Sequence, residues 1–145
     1  MDNYQIRTKL YDAASLYEDY NPADDDSYKD SYDGKVYARY LRYGSNCQDV
    51  SITLARTLHD HFISAAMHEF LKDYNSKDIV GIMGGHGLLR SDPVFRDVAL
   101  ISKKLTEMGK LMISGGGPGA MEATHLGAWM AGRSDEALDD AISML

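Results

Sequence analysis

The sequence predicts an α/β chain built on parallel strands, and three observations carry that prediction. Two short apolar runs, Ile79-Val80-Gly81-Ile82-Met83 and Lys110-Leu111-Met112-Ile113, each lead into a glycine-rich turn. A helical pattern lies between them, so strand, helix and strand follow within about 35 residues, as a parallel pair joined by a crossover requires. Finally, 44% of the 145 residues are hydrophobic, enough to bury the core of one domain.

Taken in order, residues 1 to 43 hold nine of the ten tyrosines and the acidic run Asp24-Asp25-Asp26, so residues 1–48 read as a mostly helical N-terminal extension. Short helices are expected over residues 5–18 and 34–43, separated by a turn-rich stretch from Asn21 to Asp33. Aromatic rings in such number favour packing against a surface over disorder. From Asp49, an N-cap residue, Val50, Leu54, Leu58, Phe62, Ala65 and Leu71 recur at helical spacing for about six turns and open a domain over residues 49–145.

The run Ile79–Met83, bounded by Asn75-Ser76 and Gly84-Gly85, suits a strand buried on both faces. Asp92-Pro93 reads as N-cap and first residue of a helix with Val94, Val98, Ile101, Leu105 and Met108 on one face. Gly109 closes it, and Lys103 and Lys104 complement its dipole. A last long helix is expected from Gly119 to Gly132, where Ala123, Gly127 and Ala131 form a bare face suited to close packing on a sheet, and Glu136–Leu145 is again helical. Two strands fall short of a stable sheet, so another copy or the remainder of a longer protein is expected to complete it.

Charge and composition narrow the function. A formal charge of -7 argues against general nucleic-acid binding, which needs surplus Lys and Arg. One cysteine, Cys47, permits no internal disulfide framework and points to a reducing, cytoplasmic setting. The start Met1-Asp2-Asn3-Tyr4 lacks a signal-peptide pattern, and no apolar run approaches the roughly 18 residues of a membrane span. His59, His61 and His68 have the wrong spacing for a His-x-x-x-His metal pair. Ser114 does not sit in a Gly-x-Ser-x-Gly nucleophile elbow.

The chemistry concentrates in the two turns, Gly84-Gly85-His86-Gly87 and Ser114-Gly115-Gly116-Gly117-Pro118-Gly119. Ligands of open α/β sheets collect at the carboxyl ends of strands. Glycines let the backbone approach a phosphate, and the N–H groups at the start of the next helix supply donors without basic side chains. Glu122 either caps the helix or orients a ribose hydroxyl or a water, His86 either caps its turn or meets a phosphate or base as donor or acid, and Arg90 is expected to clamp a phosphate through its bidentate fork. Arg96 reads as a solvated helix residue. Gly115, Gly117 and Ala120 fit a G-x-G-x-x-A dinucleotide fingerprint, but no strand precedes Asp135 and Glu136 as that fingerprint requires.

The runs Gly81-Ile82-Met83-Gly84-Gly85-His86 through Arg90, and Gly115-Gly116-Gly117-Pro118-Gly119-Ala120-Met121-Glu122-Ala123 with Gly127-Ala128, resemble the LONELY GUY family, long mislabelled as lysine decarboxylases. The resemblance covers about residues 79–132, and Asp49–Tyr74 is similar to the lead-in helix of longer bacterial members. It implies a Rossmann-like domain, usually dimeric, that cleaves the N-glycosidic bond of nucleoside 5'-monophosphates such as AMP to a base and ribose 5-phosphate, with no redox cofactor. It places Gly84, Gly85, His86, Arg90, Gly115, Gly116, Gly117, Pro118, Gly119, Met121 and Glu122 around the ligand. The family's enzymes also carry Pro-Gly-Gly-x-Gly-Thr-x-x-Glu preceded by an arginine, and nothing after Glu122 fits that motif. The expectation is a first half of the family domain, with the phosphate cradle but without the catalytic acid; a non-catalytic nucleotide-sensing module is the alternative.

Overall fold

The structure, a computed structural model, describes residues 6–145, so the expectations for Met1–Tyr4 and for residue 5 lie outside it. The chain divides into two compact units, one ending at Lys72 and one spanning Asp73–Leu145.

The N-terminal unit is helical. Instead of a helix over residues 5–18 it holds one turn, α1 (Ala13–Leu16). The reason is local: Asp12 and Ser15 form a capping box in which the Ser15 N–H donates to the Asp12 carboxylate at 2.7 Å, so the helix begins here and not earlier. A 3-10 turn over Asp25–Asp30 occupies the turn-rich stretch. α2 (Tyr32–Tyr43) starts two residues before the expected position because Ser31 caps it, accepting from the Gly34 N–H at 3.0 Å. α3 (Val50–Leu71) begins where the Asp49 cap predicts, with Asp49 accepting from the Ser51 and Ile52 N–H groups. No residue of α3 is fully buried. The tyrosines pack among themselves: the Tyr11 hydroxyl lies 3.1 Å from that of Tyr32 and 2.5 Å from His59 Nε2, and the Arg7 guanidinium lies over both tyrosine rings.

The C-terminal unit is mixed α/β. β1 (Ile79–Ile82) and β2 (Leu111–Ser114) form a two-stranded parallel sheet in which Ile79 faces Leu111 and Ile82 faces Ser114. α4 (Pro93–Glu107) is the crossover, capped by Asp92, and α5 (Ala120–Trp129) follows β2; α6 (Asp135–Ser143) is capped by Ser134. Phe95, Ala99, Ala123, Met130 and Leu138 form the buried core between these helices.

Two expectations are corrected here. β1 is not buried on both faces: its residues are half-buried and Gly81 is exposed. With only two strands, the helices cover the Met112 face of the sheet, while Ile113 on the other face is 43% exposed. The bare face of α5 packs on a helix rather than on the sheet. A side chain at Gly127 would collide with the Ala99 carbonyl of α4, so glycine there sets how closely the two helices approach. The buried Ser102 hydroxyl of α4 reaches across the same contact and donates to the Thr124 carbonyl of α5.

Polar contacts also depart from the sequence pattern. Lys103 is buried and pairs with Glu107 at 2.9 Å and Asp135 at 3.0 Å, tying α4 to the start of α6 rather than only complementing a dipole. The hydrogen bond from Lys103 holds the Glu107 carboxyl below its ordinary range. Arg96 is no freely solvated residue: it makes a two-pronged pair with Asp139 of α6, at 2.5 and 2.8 Å, and that bond lowers the Asp139 pKa.

Candidate functional site

The two glycine turns meet at the carboxyl ends of the adjacent strands. After β1, Gly84 and Gly85 take positive φ (83° and 67°), and after β2 Gly116 and Gly119 do the same (71° and 72°), conformations that side-chain-bearing residues rarely adopt. The turns touch through backbone: the Ala120 N–H donates to the Gly85 carbonyl at 3.3 Å, and a Cβ at Gly119 would strike that same carbonyl and crowd that of Leu88. Only glycine at position 119 lets the start of α5 sit against the first turn.

The remaining cluster residues line up behind this contact. Met121 tucks under the turn, its Cε and Sδ filling the space beside Gly117 and Gly115, so neither glycine has room for an unshifted side chain. α5 has no side-chain cap, whereas α1, α2, α3, α4 and α6 each have one. The Met121 and Glu122 amides stand in its first turn, where no intrahelical acceptor exists. The positive end of the α5 dipole therefore opens on the glycine turn.

Arg90 and Glu122, 32 residues apart, form an ion pair. The Arg90 Nε–H donates to Glu122 Oε1 at 2.8 Å, Nη2 lies 2.7 Å from the same oxygen, and Nη1–H donates to the Leu145 carbonyl at 2.9 Å. The pair stands between two clefts. The larger, about 1060 Å³, is lined by His86, Leu88, Leu89, Pro93, Pro118 and Glu122 among others. The smaller, about 510 Å³, is lined by Gly116, Gly117, Pro118, Glu122, His125 and Leu126. Gly85, Arg90, the second glycine cluster, Met121 and Glu122 are thus gathered in one place, with His86 on the lining of the larger cleft, while Gly84 contributes the turn before Gly85 and touches nothing across it.

Every carboxylate bordering the two clefts is already engaged. Asp92 caps α4 by accepting from the Val94 N–H, Glu122 holds Arg90, and Asp139 holds Arg96. Asp135 and Glu136, the acidic residues considered for a dinucleotide fingerprint, lie in the first turn of α6, not after a strand.

One pair in the site was not singled out from sequence. Ser114, the last residue of β2, has its Oγ 2.7 Å from His125 Nε2 on α5 and accepts from the Gly116 N–H at 3.1 Å. The sequence marks Ser114 only as a serine outside a nucleophile elbow, and nothing in the spacing of eleven residues signals that a strand end and the second turn of a helix will meet.

Comparison of the chain with protein-family models, with curated proteins and with solved structures gives no match. Among the described residues no helix is long and apolar enough to cross a membrane.

Proposed function

We propose that the C-terminal unit is the phosphate-binding half of a Rossmann-like nucleoside 5'-monophosphate site of the kind found in LONELY GUY phosphoribohydrolases. The observation that carries this reading is the backbone contact between the two glycine turns, at the carboxyl ends of neighbouring parallel strands and beside the one α-helix of the described residues that lacks a side-chain cap. A phosphate at Gly116–Gly119 would complete the first turn of α5, which explains how an acidic chain can hold an anion. The larger cleft, with Leu88, Leu89 and Pro93 on its wall, would take the base, and Glu122 and Arg90 between the clefts would face the ribose.

Catalysis in such a site passes through an oxocarbenium-like state and needs a carboxylate as nucleophile, acid or base. Asp92 caps α4, Glu122 and Asp139 pair with arginines, and nothing after Glu122 fits the acid motif of the family's enzymes. That observation favours binding without hydrolysis by the chain alone, and a nucleotide-sensing module is the second reading. The unpaired edges of the sheet and the exposed Ile113 support assembly into a homodimer or higher oligomer that completes the sheet. The resemblance implies no redox cofactor, and the single cysteine supports a reducing, cytoplasmic setting.

Calorimetric titration with AMP, paired with an assay for released base, tests the proposal. Saturable binding of AMP without adenine release is expected. Absence of binding at millimolar AMP overturns the nucleotide reading, and release of adenine overturns the inactive one.

A further inference from the structure

We infer that His125 is a ligand-binding residue of this site and that Ser114 is the positioning residue that fixes which of its ring nitrogens carries the proton; the inference rests on the nucleotide reading above. Ser114 Oγ has one hydrogen and two lone pairs, and one lone pair is used by the Gly116 N–H. The one described acceptor for its hydrogen is His125 Nε2, 2.7 Å away, and the hydrogen is assigned to that bond, leaving the second lone pair of Oγ free. With Nε2 accepting, the neutral imidazole must carry its proton on Nδ1, because the bond made by one ring nitrogen sets the state of the other. The relay thus runs from the Gly116 N–H to the Ser114 hydroxyl to His125, and it ends in an Nδ1–H donor on a ring that lines the smaller cleft beside Gly116 and Gly117.

Such a donor suits an oxygen of the phosphate group of a nucleoside monophosphate. It adds a side-chain contact to a cradle otherwise made of backbone amides, and it needs no charged imidazole. It also couples the glycine turn to the helix: the serine that holds the Gly116 amide is the one that orients the histidine.

Two amide substitutions separate the ring's two nitrogens. His125→Asn keeps a donor near the position of Nδ1, whereas His125→Gln keeps a polar group near Nε2, where it still meets Ser114. His125 is exposed, so neither change disturbs the core, and circular dichroism checks the fold. AMP affinity is expected to fall about tenfold in His125→Gln, the loss typical of one hydrogen bond to a charged group, and to stay within about threefold of wild type in His125→Asn. Adenosine, which lacks the phosphate, should bind all three proteins alike. In the ligand-free protein, ¹⁵N NMR of the imidazole should show Nε2 unprotonated and Nδ1 protonated, and Ser114→Ala should abolish that preference.

Equal AMP affinity of wild type and His125→Gln, or a ligand-free ring protonated on Nε2, overturns the assignment while leaving the nucleotide reading in place. A wild type that binds no AMP removes the nucleotide reading and the ligand role of His125 together.

Discussion

The two units of the chain are held together by different physics. Every buried hydrophobic residue among those described, from Phe95 to Leu138, belongs to the C-terminal unit, where α4, α5 and α6 enclose a core and α4 meets α5 at backbone distance. In the N-terminal unit the buried positions are Ser31 and Gly34, and the large side chains Tyr17, Tyr37, Tyr40, Val50 and Leu54 are all exposed. That unit relies on caps, a tyrosine–histidine cluster and cation–π contacts, each worth little on its own in water. The half of the chain that encloses a buried core is the one that carries the glycine turns. A site built from backbone amides has to be placed by packing, because it has no long side chains with which to adjust.

The largest expected effect comes from the core. Phe95→Ala, at a fully buried position, should destabilise the C-terminal unit by about 3–5 kcal/mol, read by denaturant unfolding. A loss near that of a surface change would break the contrast between the units.

Gly119→Ala comes next. Positive φ and the collision with the Gly85 carbonyl should cost on the order of 1–3 kcal/mol, and separation of the turns should abolish AMP binding. A stable variant that binds AMP as wild type does would show that the turn contact is dispensable.

In the N-terminal unit, Tyr11→Phe removes the hydroxyl bonded to His59 and Tyr32 and should cost only about 1 kcal/mol, with AMP binding unchanged. An effect on the scale of the core substitution would make the tyrosine cluster as important as a core.

The smallest effect concerns pH. The bond from Arg96 lowers the folded-state pKa of Asp139, so its contribution is present above the ordinary carboxylate value of about 3.9 and is lost as pH falls through the lower folded value. Asp139→Asn should therefore flatten the acid limb of the stability profile of the C-terminal unit and leave neutral-pH binding intact. An unchanged acid limb would show that the Arg96 pair contributes nothing.

Much of the framework is legible because its signals are local. Asp49, Asp92-Pro93 and Gly109 mark helix ends within one turn of themselves, and an apolar run before glycines marks each strand. The expected helix over residues 5–18 failed because the Asp12–Ser15 capping box and the competing polar residues around it outweigh a weak helical pattern. The pairings of Lys103, Arg96 and His125 are illegible for another reason. Their partners Asp135, Asp139 and Ser114 lie 32, 43 and 11 residues away, and only packing of the elements brings them together. The same holds for the bare face of α5, whose small residues announce close packing but not against what.

The most direct test of the central claim is a ¹H–¹⁵N NMR titration of the chain with AMP. The account predicts saturable shifts that are largest at the amides of Gly116, Gly117, Met121 and Glu122, with the N-terminal unit silent. Shifts confined to the tyrosine-rich unit, or no saturable shift at all, would contradict it.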